Sequence, residues 1–95
     1  MPKEISKDEL YQQNGAYLVA FYTPSCPHCR VLEKSIESLE TQAIPVYKIN
    51  LDKEPQLSSE FSIRSVPVLI RFENGKETAR RVGSLSKDEI KRMMA

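Results

Sequence analysis

The stretch "AYLVAFYTPSCPHC", residues 16–29, joins an apolar run to two cysteines that are separated by two residues. Its first seven residues carry no charge and lie between a glycine and a closely following proline, a pattern typical of a strand buried on both faces. Cys26 comes after a short turn. Pro27 suits the first turn of a helix, because the N–H groups there have no partner within the helix. The stretch therefore predicts a strand, a turn and a helix that begins at the cysteines.

The predicted helix has one apolar face. After Pro27, apolar residues recur at helical spacing as far as about residue 43, at Leu32, Ile36, Leu39 and Ala43. Two further helices are predicted at "ISKDEL" (5–10) and "LSKDEI" (85–90), because in each a serine is followed three residues later by a glutamate, as in a capping box. A short helical turn is expected at residues 56–61, with Pro55 at its first position.

Three more segments are predicted to be strands. The segment "VYKINL" (46–51) alternates apolar and polar residues, and "PVLIRFE" (67–73) and "ETARRVG" (77–83) flank Asn74-Gly75, a pair that strongly favours a tight hairpin. The strand–helix–strand unit predicts a parallel pair, and the hairpin predicts an antiparallel one. The expected fold is an α/β sandwich with a central mixed sheet of four strands and helices on both faces.

Composition and length limit the class of protein. The chain has 95 residues, of which 40% are hydrophobic and 28% are charged, so we expect one folded domain that spans residues 1–95. The net charge of +1 gives no electrostatic basis for binding nucleic acid or an anionic membrane. No apolar run approaches the roughly 20 residues of a membrane helix, and the N-terminus lacks the apolar core of a signal peptide. We therefore expect a cytoplasmic protein for which a monomer suffices.

Residues 26–29 hold both cysteines and the only histidine of the chain. A disulfide between Cys26 and Cys29 would close a loop too small to stabilise the fold much, so the pair indicates reactivity. Residues three apart lie on the same face of a helix, and the free N–H groups and the dipole at the helix start favour an anion at Cys26. A protonated His28 would stabilise that thiolate further. The pattern is typical of a redox dithiol.

Three other interpretations of the cysteine pair have less support. A structural zinc site needs about four ligands, whereas only Cys26, His28 and Cys29 are suitable here, so no metal is expected. A cysteine hydrolase needs a histidine distant in the sequence as its base, and the chain has none. Two cysteines buried as small apolar groups would not explain why both stand at a helix start.

Four motifs together resemble the thioredoxin family. They occur in the family's order and at its separations, as "LVAFYTPSCPHC" (18–29), "KINLD" (48–52), "FSIRSVPVLIRFENGKE" (61–77) and "VGSLSK" (82–87). The resemblance extends from about residue 16 to the C-terminus and implies the thioredoxin fold with a short or missing N-terminal strand. It also implies a protein-disulfide oxidoreductase that needs no cofactor beyond its own Cys26–Cys29 pair.

The resemblance implies roles for individual residues. Cys26 corresponds to the family's exposed attacking thiolate, and Cys29 corresponds to its buried resolving thiol. Pro67 corresponds to a proline whose preceding peptide bond is cis, which leaves the backbone of Val66 free to pair with an extended substrate segment. Gly83 corresponds to a glycine that lines the same groove.

Several positions depart from the family pattern. Ala20 stands where the family has a buried aspartate that assists proton transfer, so Lys48, water or the substrate would have to serve instead. Ser25, which replaces a tryptophan, is expected at the substrate groove. Pro27-His28 replaces the usual Gly-Pro and matches the DsbA-type disulfide oxidases, which suggests a reduction potential less negative than that of thioredoxin.

The predicted activity is thiol–disulfide exchange with protein substrates, and thioredoxin reductase or another dithiol is the expected recycling partner. Two alternatives stay open. A glutaredoxin-like enzyme would use glutathione, although the Gly-Gly-Asp feature of that family is absent after the hairpin. A non-catalytic thioredoxin-like binding module would not need the thiols, and the presence of both cysteines argues against it.

Overall fold

The computed structural model of the protein describes residues 2–39 and 42–95. Its strands are β1 (Lys3–Glu4), β2 (Ala16–Tyr22), β3 (Val46–Asn50), β4 (Val68–Glu73) and β5 (Lys76–Val82). Its helices are α1 (Lys7–Leu10), α2 (Pro27–Glu37), α3 (Gln56–Glu60) and α4 (Lys87–Met94). Every predicted helix and strand is present, and β1 is added near the N-terminus.

One mixed sheet carries the strands in the order β1-β3-β2-β4-β5. Strand β2 lies at its centre, parallel to β3 and antiparallel to β4, and β4 pairs with β5 as an antiparallel hairpin. These pairings confirm the predicted mixed sheet. The predicted count of four strands is wrong by one, because Lys3 and Glu4 pair in parallel with Tyr47 and Lys48 at the outer edge of β3. The N-terminal strand is therefore short rather than missing.

The side chains of β2 point alternately into two hydrophobic cores, one on each face of the sheet. Tyr17, Val19 and Phe21 pack in a first core with residues of α1 and α3, whereas Leu18 and Ala20 pack in a second core with residues of α2 and α4. Successive residues of a strand point to opposite faces, so burial of both sets explains the uncharged run at the centre of the sheet. The helices on both faces confirm the predicted α/β sandwich.

Helix α2 ends at Glu37, so the predicted end near Ala43 is wrong. The Ser38 hydroxyl donates a hydrogen bond to the Ser35 carbonyl at 2.7 Å, a local bond that competes with continuation of the helix. Leu39 nevertheless packs in the second core with 8% of its surface exposed. The apolar spacing therefore continues past the last helical residue, which made the helix seem longer in the sequence.

The predicted hairpin and the predicted short helix are both present. Asn74 and Gly75 have φ values of 51° and 83°, and a type I′ hairpin turn requires positive φ at both of its central residues. Helix α3 begins at Gln56, so Pro55 lies at its N-cap rather than at its first position. Within the two described ranges, no helix combines the length and the apolar character that crossing a bilayer requires.

Both predicted capping boxes form. At α4, the Ser86 hydroxyl accepts a hydrogen bond from the Glu89 backbone N–H at 3.2 Å, and Glu89 Oε1 accepts one from the Ser86 backbone N–H at 3.1 Å. Ser6 and Glu9 make the same reciprocal pair at α1. The box at α4 orients a helix that contributes the fully buried Ile90 to the second core.

We expect Ser86→Ala to lower the free energy of unfolding by about 1 kcal/mol, because the variant lacks the hydroxyl that accepts the Glu89 N–H. Urea denaturation followed by circular dichroism would measure the change. Ser84→Ala is the matched control, since Ser84 is exposed and precedes the helix, and it should change the free energy of unfolding much less. Equal losses in the two variants would contradict a stabilising function of the cap.

Candidate active site

Cys26 occupies the N-cap of α2, directly after the loop that leaves β2. Its backbone N–H donates to the Thr23 carbonyl at 3.3 Å, which closes the turn, and Pro27 is the first residue of the helix. The Cys29 backbone N–H donates to Cys26 Sγ at 3.1 Å. The sulfur therefore takes the position that a serine or aspartate oxygen takes in an ordinary N-cap, where the helix dipole favours a negative charge.

The loop before β4 lies against Cys26. The Cys26 thiol donates to the Val66 carbonyl at 3.7 Å, and the Val66–Pro67 peptide bond is cis, as the resemblance implies. The Pro67 carbonyl accepts a hydrogen bond from the Gly83 N–H at 2.8 Å. The Val66–Pro67 segment therefore contacts Cys26 on one side and is hydrogen-bonded to Gly83.

Cys29 lies in the first turn of α2 and is buried, with 6% of its surface exposed. Burial, followed by the hydrogen bond with Cys26, raises the pKa of the Cys29 thiol to about 12. Burial raises this pKa because the loss of solvent destabilises the charged thiolate more than the neutral thiol. Cys26 is less buried than Cys29. The two neighbouring sulfurs thus differ, since one is accessible at the helix start and the other is enclosed and held as a thiol.

A small cavity of about 10 Å³ lies behind Cys29. Its lining includes Ala20, Tyr22, Cys29, Glu33, Lys48 and Pro67. The Lys48 side chain is 17% exposed, and its Nζ lies 3.5 Å from Glu33 Oε2. The same Nζ lies 5.3 Å from the centre of the Tyr22 ring. The cavity therefore places an ion pair next to a buried thiol.

Glu33, which completes this ion pair, is absent from the residues that the sequence predicts for the site. The sequence feature that indicates its place in the site is its spacing. Glu33 follows Cys29 by four residues on the predicted helix, and residues so spaced lie on one face. The family pattern instead has its carboxylate on the preceding strand, at the position that Ala20 occupies in this chain. The pairing with Lys48 depends on how α2 packs on the sheet.

The other predicted residues lie at the outer rim of the site. Ser25, Pro27 and His28 are exposed, and none of them lines the cavity behind Cys29. Within residues 2–39 and 42–95, no three or more His, Cys, Asp or Glu side chains are grouped so that they could hold a metal ion. The rim is accessible to solvent, whereas Cys29 is not.

We expect the Cys29 thiol to reduce the stability of the folded protein at alkaline pH. In the Cys26→Ser variant Cys29 is the single thiol, and burial raises its pKa in the folded protein above the ordinary value of 9.0. As the pH rises above that value, the unfolded chain releases a proton that the folded protein keeps, so the free energy of unfolding falls. Urea denaturation at a series of pH values would measure the slope.

The matched control for this titration is the Cys26→Ser/Cys29→Ala double variant, which retains every tyrosine and lysine. Its free energy of unfolding should fall less steeply over the same alkaline range, because no thiol remains to titrate. Parallel curves for the single and double variants would contradict a raised pKa of Cys29.

Comparison with known proteins identifies the family of the chain. The sequence model of the thioredoxin family matches residues 3–95. Thioredoxin of Chlamydia caviae is 34% identical over 82 residues, which cover 84% of this chain and 80% of that protein. Thioredoxin of Mycoplasmoides gallisepticum is 32% identical over 89 residues, which cover 92% of this chain and 89% of that protein.

Solved structures show the same architecture. A variant of thioredoxin from Halobacterium salinarum has a TM-score of 0.86 at 30% identity and covers 98% of this chain and 87% of its own. Thioredoxin of Malassezia sympodialis has a TM-score of 0.85 at 24% identity, with 99% and 88% covered, and supports the fold alone. The predicted thioredoxin fold is confirmed. The chain belongs to the thioredoxin family and is a thiol–disulfide oxidoreductase.

Proposed function

We propose that the protein exchanges disulfides with protein substrates, with Cys26 as the attacking thiolate and Cys29 as the resolving thiol. The observation that carries this proposal is the difference between the two sulfurs. Cys26 Sγ accepts the Cys29 N–H at 3.1 Å in the N-cap, an environment that favours an anion, whereas Cys29 is 6% exposed, which favours the neutral thiol. The thiolate is the nucleophile in disulfide exchange, so this difference supports the order of the two attacks.

The reaction has two steps. First, the Cys26 thiolate attacks one sulfur of the substrate disulfide, a bond forms between Cys26 and that sulfur, and the other substrate sulfur leaves as a thiolate. Second, Cys29 loses its proton and attacks Cys26 Sγ, which releases the remaining substrate sulfur and leaves a Cys26–Cys29 disulfide. The substrate gains two electrons, and the dithiol of the protein is oxidised. Pro27 holds the intervening backbone in the first helical turn, so that the second sulfur stays next to the first.

The proposed substrate groove passes Val66, Pro67 and Gly83, with Ser25 at its edge. In the described part of the chain, the Val66 backbone N–H has no backbone partner, so it is available to an extended substrate. A Cβ added at Gly83 would meet no described atom within 4 Å, so the space beside Pro67 is open there. The φ of Gly83, +94°, also favours glycine, because a residue with a side chain adopts this conformation at a steric cost.

Family membership supports proteins with disulfides or dithiols as the reaction partners and a reductase as the recycling partner. We propose thioredoxin reductase, or another dithiol, in the recycling step, and no cofactor beyond the Cys26–Cys29 pair. The single domain, the monomeric state and the cytoplasmic location expected from the sequence stay predictions.

We expect Cys26→Ser to abolish reduction of insulin disulfides in the presence of thioredoxin reductase and NADPH, because the variant lacks the attacking sulfur. Cys29→Ser should still form a mixed disulfide with the substrate and should fail to release it. Electrophoresis without reductant would show the trapped adduct for Cys29→Ser and none for Cys26→Ser. An adduct that forms only in Cys26→Ser would reverse the proposed order of the two thiols.

Two measurements separate the proposed activity from its two alternatives. Activity with glutathione and none with thioredoxin reductase would favour a glutaredoxin-like enzyme. Full biological function of the Cys26→Ser variant would favour a binding module, because such a module does not depend on the reactive sulfur.

We further propose an oxidising reduction potential, because the exposed His28 lies in the first turn of α2, two residues after Cys26. A protonated imidazole there would stabilise the thiolate and therefore the reduced form of the protein. We expect a potential less negative than the value of about −270 mV typical of thioredoxin. His28→Ala should make the potential more negative by about 30 mV, which corresponds to about 1.4 kcal/mol.

Equilibration with glutathione buffers, followed by quantification of the two redox forms, would measure these potentials. Lys34→Gln is the matched control, since it removes an exposed positive charge farther along α2 and should leave the potential nearly unchanged. A wild-type potential at or below that of thioredoxin would refute the argument from His28.

A further inference from the structure

The proposed second step requires a base for Cys29. Burial raises the pKa of this thiol well above its ordinary value, so the neutral thiol is the form that prevails near pH 7. Hydroxide from bulk water has poor access to a side chain that is 6% exposed. A general base inside the protein would overcome this limit, and such a base accelerates proton transfer by about 10²–10⁴-fold.

Most groups that face Cys29 cannot accept its proton. On β2, Ala20 is apolar, and Tyr22 donates its hydroxyl to Glu4 Oε1 at 2.6 Å, while burial and this hydrogen bond raise the pKa of Tyr22. On β3, the Lys48 ammonium has three donors and no lone pair. Neither β2 nor β3 therefore supplies a group that accepts the Cys29 proton.

Two further charged groups belong to the surroundings of Tyr22. Glu4 on β1 binds Lys53 Nζ at 3.1 Å as well as the Tyr22 hydroxyl, and neither Glu4 nor Lys53 lines the cavity behind Cys29. Cys26, on the outer side of Cys29, is the sulfur under attack in this step. None of these groups is positioned to take the proton through the cavity.

Glu33 on α2 is the carboxylate that lines the cavity, within the part of the chain that the structure describes. It follows Cys29 by four residues, so the two side chains lie on one face of the helix. Its side chain is 26% exposed, and Oε2 lies 3.5 Å from Lys48 Nζ. The cavity volume of about 10 Å³ is close to the minimum for one water molecule. The thiol, the carboxylate and the ammonium would be its polar partners.

We infer that Glu33 is the proton acceptor for Cys29, through one water molecule, and that Lys48 holds the carboxylate at the cavity. The inference rests on the proposed function, because it concerns the second step of the same reaction. In this inference the carboxylate that accepts the proton lies on helix α2, whereas the family pattern has it on the strand, at the position of Ala20. It also makes Lys48 a positioning residue rather than the group that takes the proton.

The second step begins from the Cys26–substrate mixed disulfide. The proton of Cys29 passes through the water molecule to the Glu33 carboxylate. The electron pair left on the Cys29 sulfur forms the bond to Cys26 Sγ, and the bond from Cys26 to the substrate sulfur breaks. That bond's electron pair leaves on the substrate thiolate, which takes a proton from water or from Glu33. The Glu33 carboxylate is then available again.

The two attacks can be timed separately in one experiment with the full chain. When the reduced protein reacts with limiting dithiobis(nitrobenzoate), attack by Cys26 releases one coloured nitrothiobenzoate, and attack by Cys29 releases the second. Stopped-flow absorbance resolves the two releases. In Glu33→Gln we expect the second release to slow by about 10²-fold near neutral pH, the lower end of what a general base contributes. The rate of the first release should stay within twofold of the wild-type rate, which would show that the site is still folded in the variant.

The pH dependence distinguishes a base from a neighbouring charge. Removing a negative charge near a forming thiolate lowers the electrostatic cost of that thiolate, so a purely electrostatic effect of Glu33→Gln would speed the second release. Loss of a base slows it, and the deficit should shrink as the pH rises, since hydroxide then takes over the proton transfer. The direction of the change and its pH profile therefore both test the inference.

Glu37→Gln is the matched control, because it makes the same substitution one turn farther along α2 at an exposed position. Both releases in this variant should equal those of wild type. A slowing of the second release by tenfold or more in Glu33→Gln, with a deficit that shrinks at alkaline pH, supports the inference. A smaller slowing, an acceleration, or a deficit independent of pH overturns it. Wild-type protein that fails to release the second equivalent would instead refute the proposed dithiol reaction.

Discussion

The hydrogen bond from the Cys29 backbone N–H to Cys26 Sγ, at 3.1 Å, is the interaction on which the site depends. The first N–H groups of a helix lack partners within the helix, and here a sulfur atom satisfies one of them. The cap starts α2, and it also leaves Cys26 in an environment that favours an anion. The same turn directs Cys29 toward the second core, where burial keeps it protonated. One turn of helix therefore places one sulfur at the N-cap and the other in a buried position.

The sheet holds this cap in place. Strand β2 is paired on both edges and buried on both faces, so the loop that follows it has a fixed starting point. The β4–β5 hairpin brings Pro67 and Gly83 to the same end of the sheet, where their backbones are hydrogen-bonded to each other. Beneath the thiols, the carboxylate of the cavity comes from α2 and is paired with Lys48. Such a pair adds little net charge beside Cys29, so it opposes a thiolate at Cys26 less than an unpaired carboxylate would.

Local chemistry explains which elements were predictable. The uncharged run of β2, the Asn74-Gly75 turn and the two serine–glutamate caps each act within a few residues, so the sequence displays them directly. The end of α2 was predicted wrongly because Leu39 continues the apolar spacing after the helix has stopped. The predicted count lacked the fifth strand because Lys3 and Glu4 form a strand of only two exposed residues, too short to show an alternating apolar pattern. Its ladder with β3 is made by the backbone, although the Glu4 side chain also binds Tyr22 and Lys53. Backbone pairing of that kind leaves no pattern in the side chains.

The sequence by itself determined that two thiols three residues apart would start a helix after a buried strand, since spacing, Pro27 and the apolar run are all local. It also determined, through its resemblance to a family, that Pro67 would stand near them. Only the tertiary structure decided that Glu33 and Lys48, fifteen residues apart, would meet behind Cys29. The physical reason is that their distance depends on the packing of α2 against β3 through the second core, and no residue-by-residue preference specifies the relative placement of two elements.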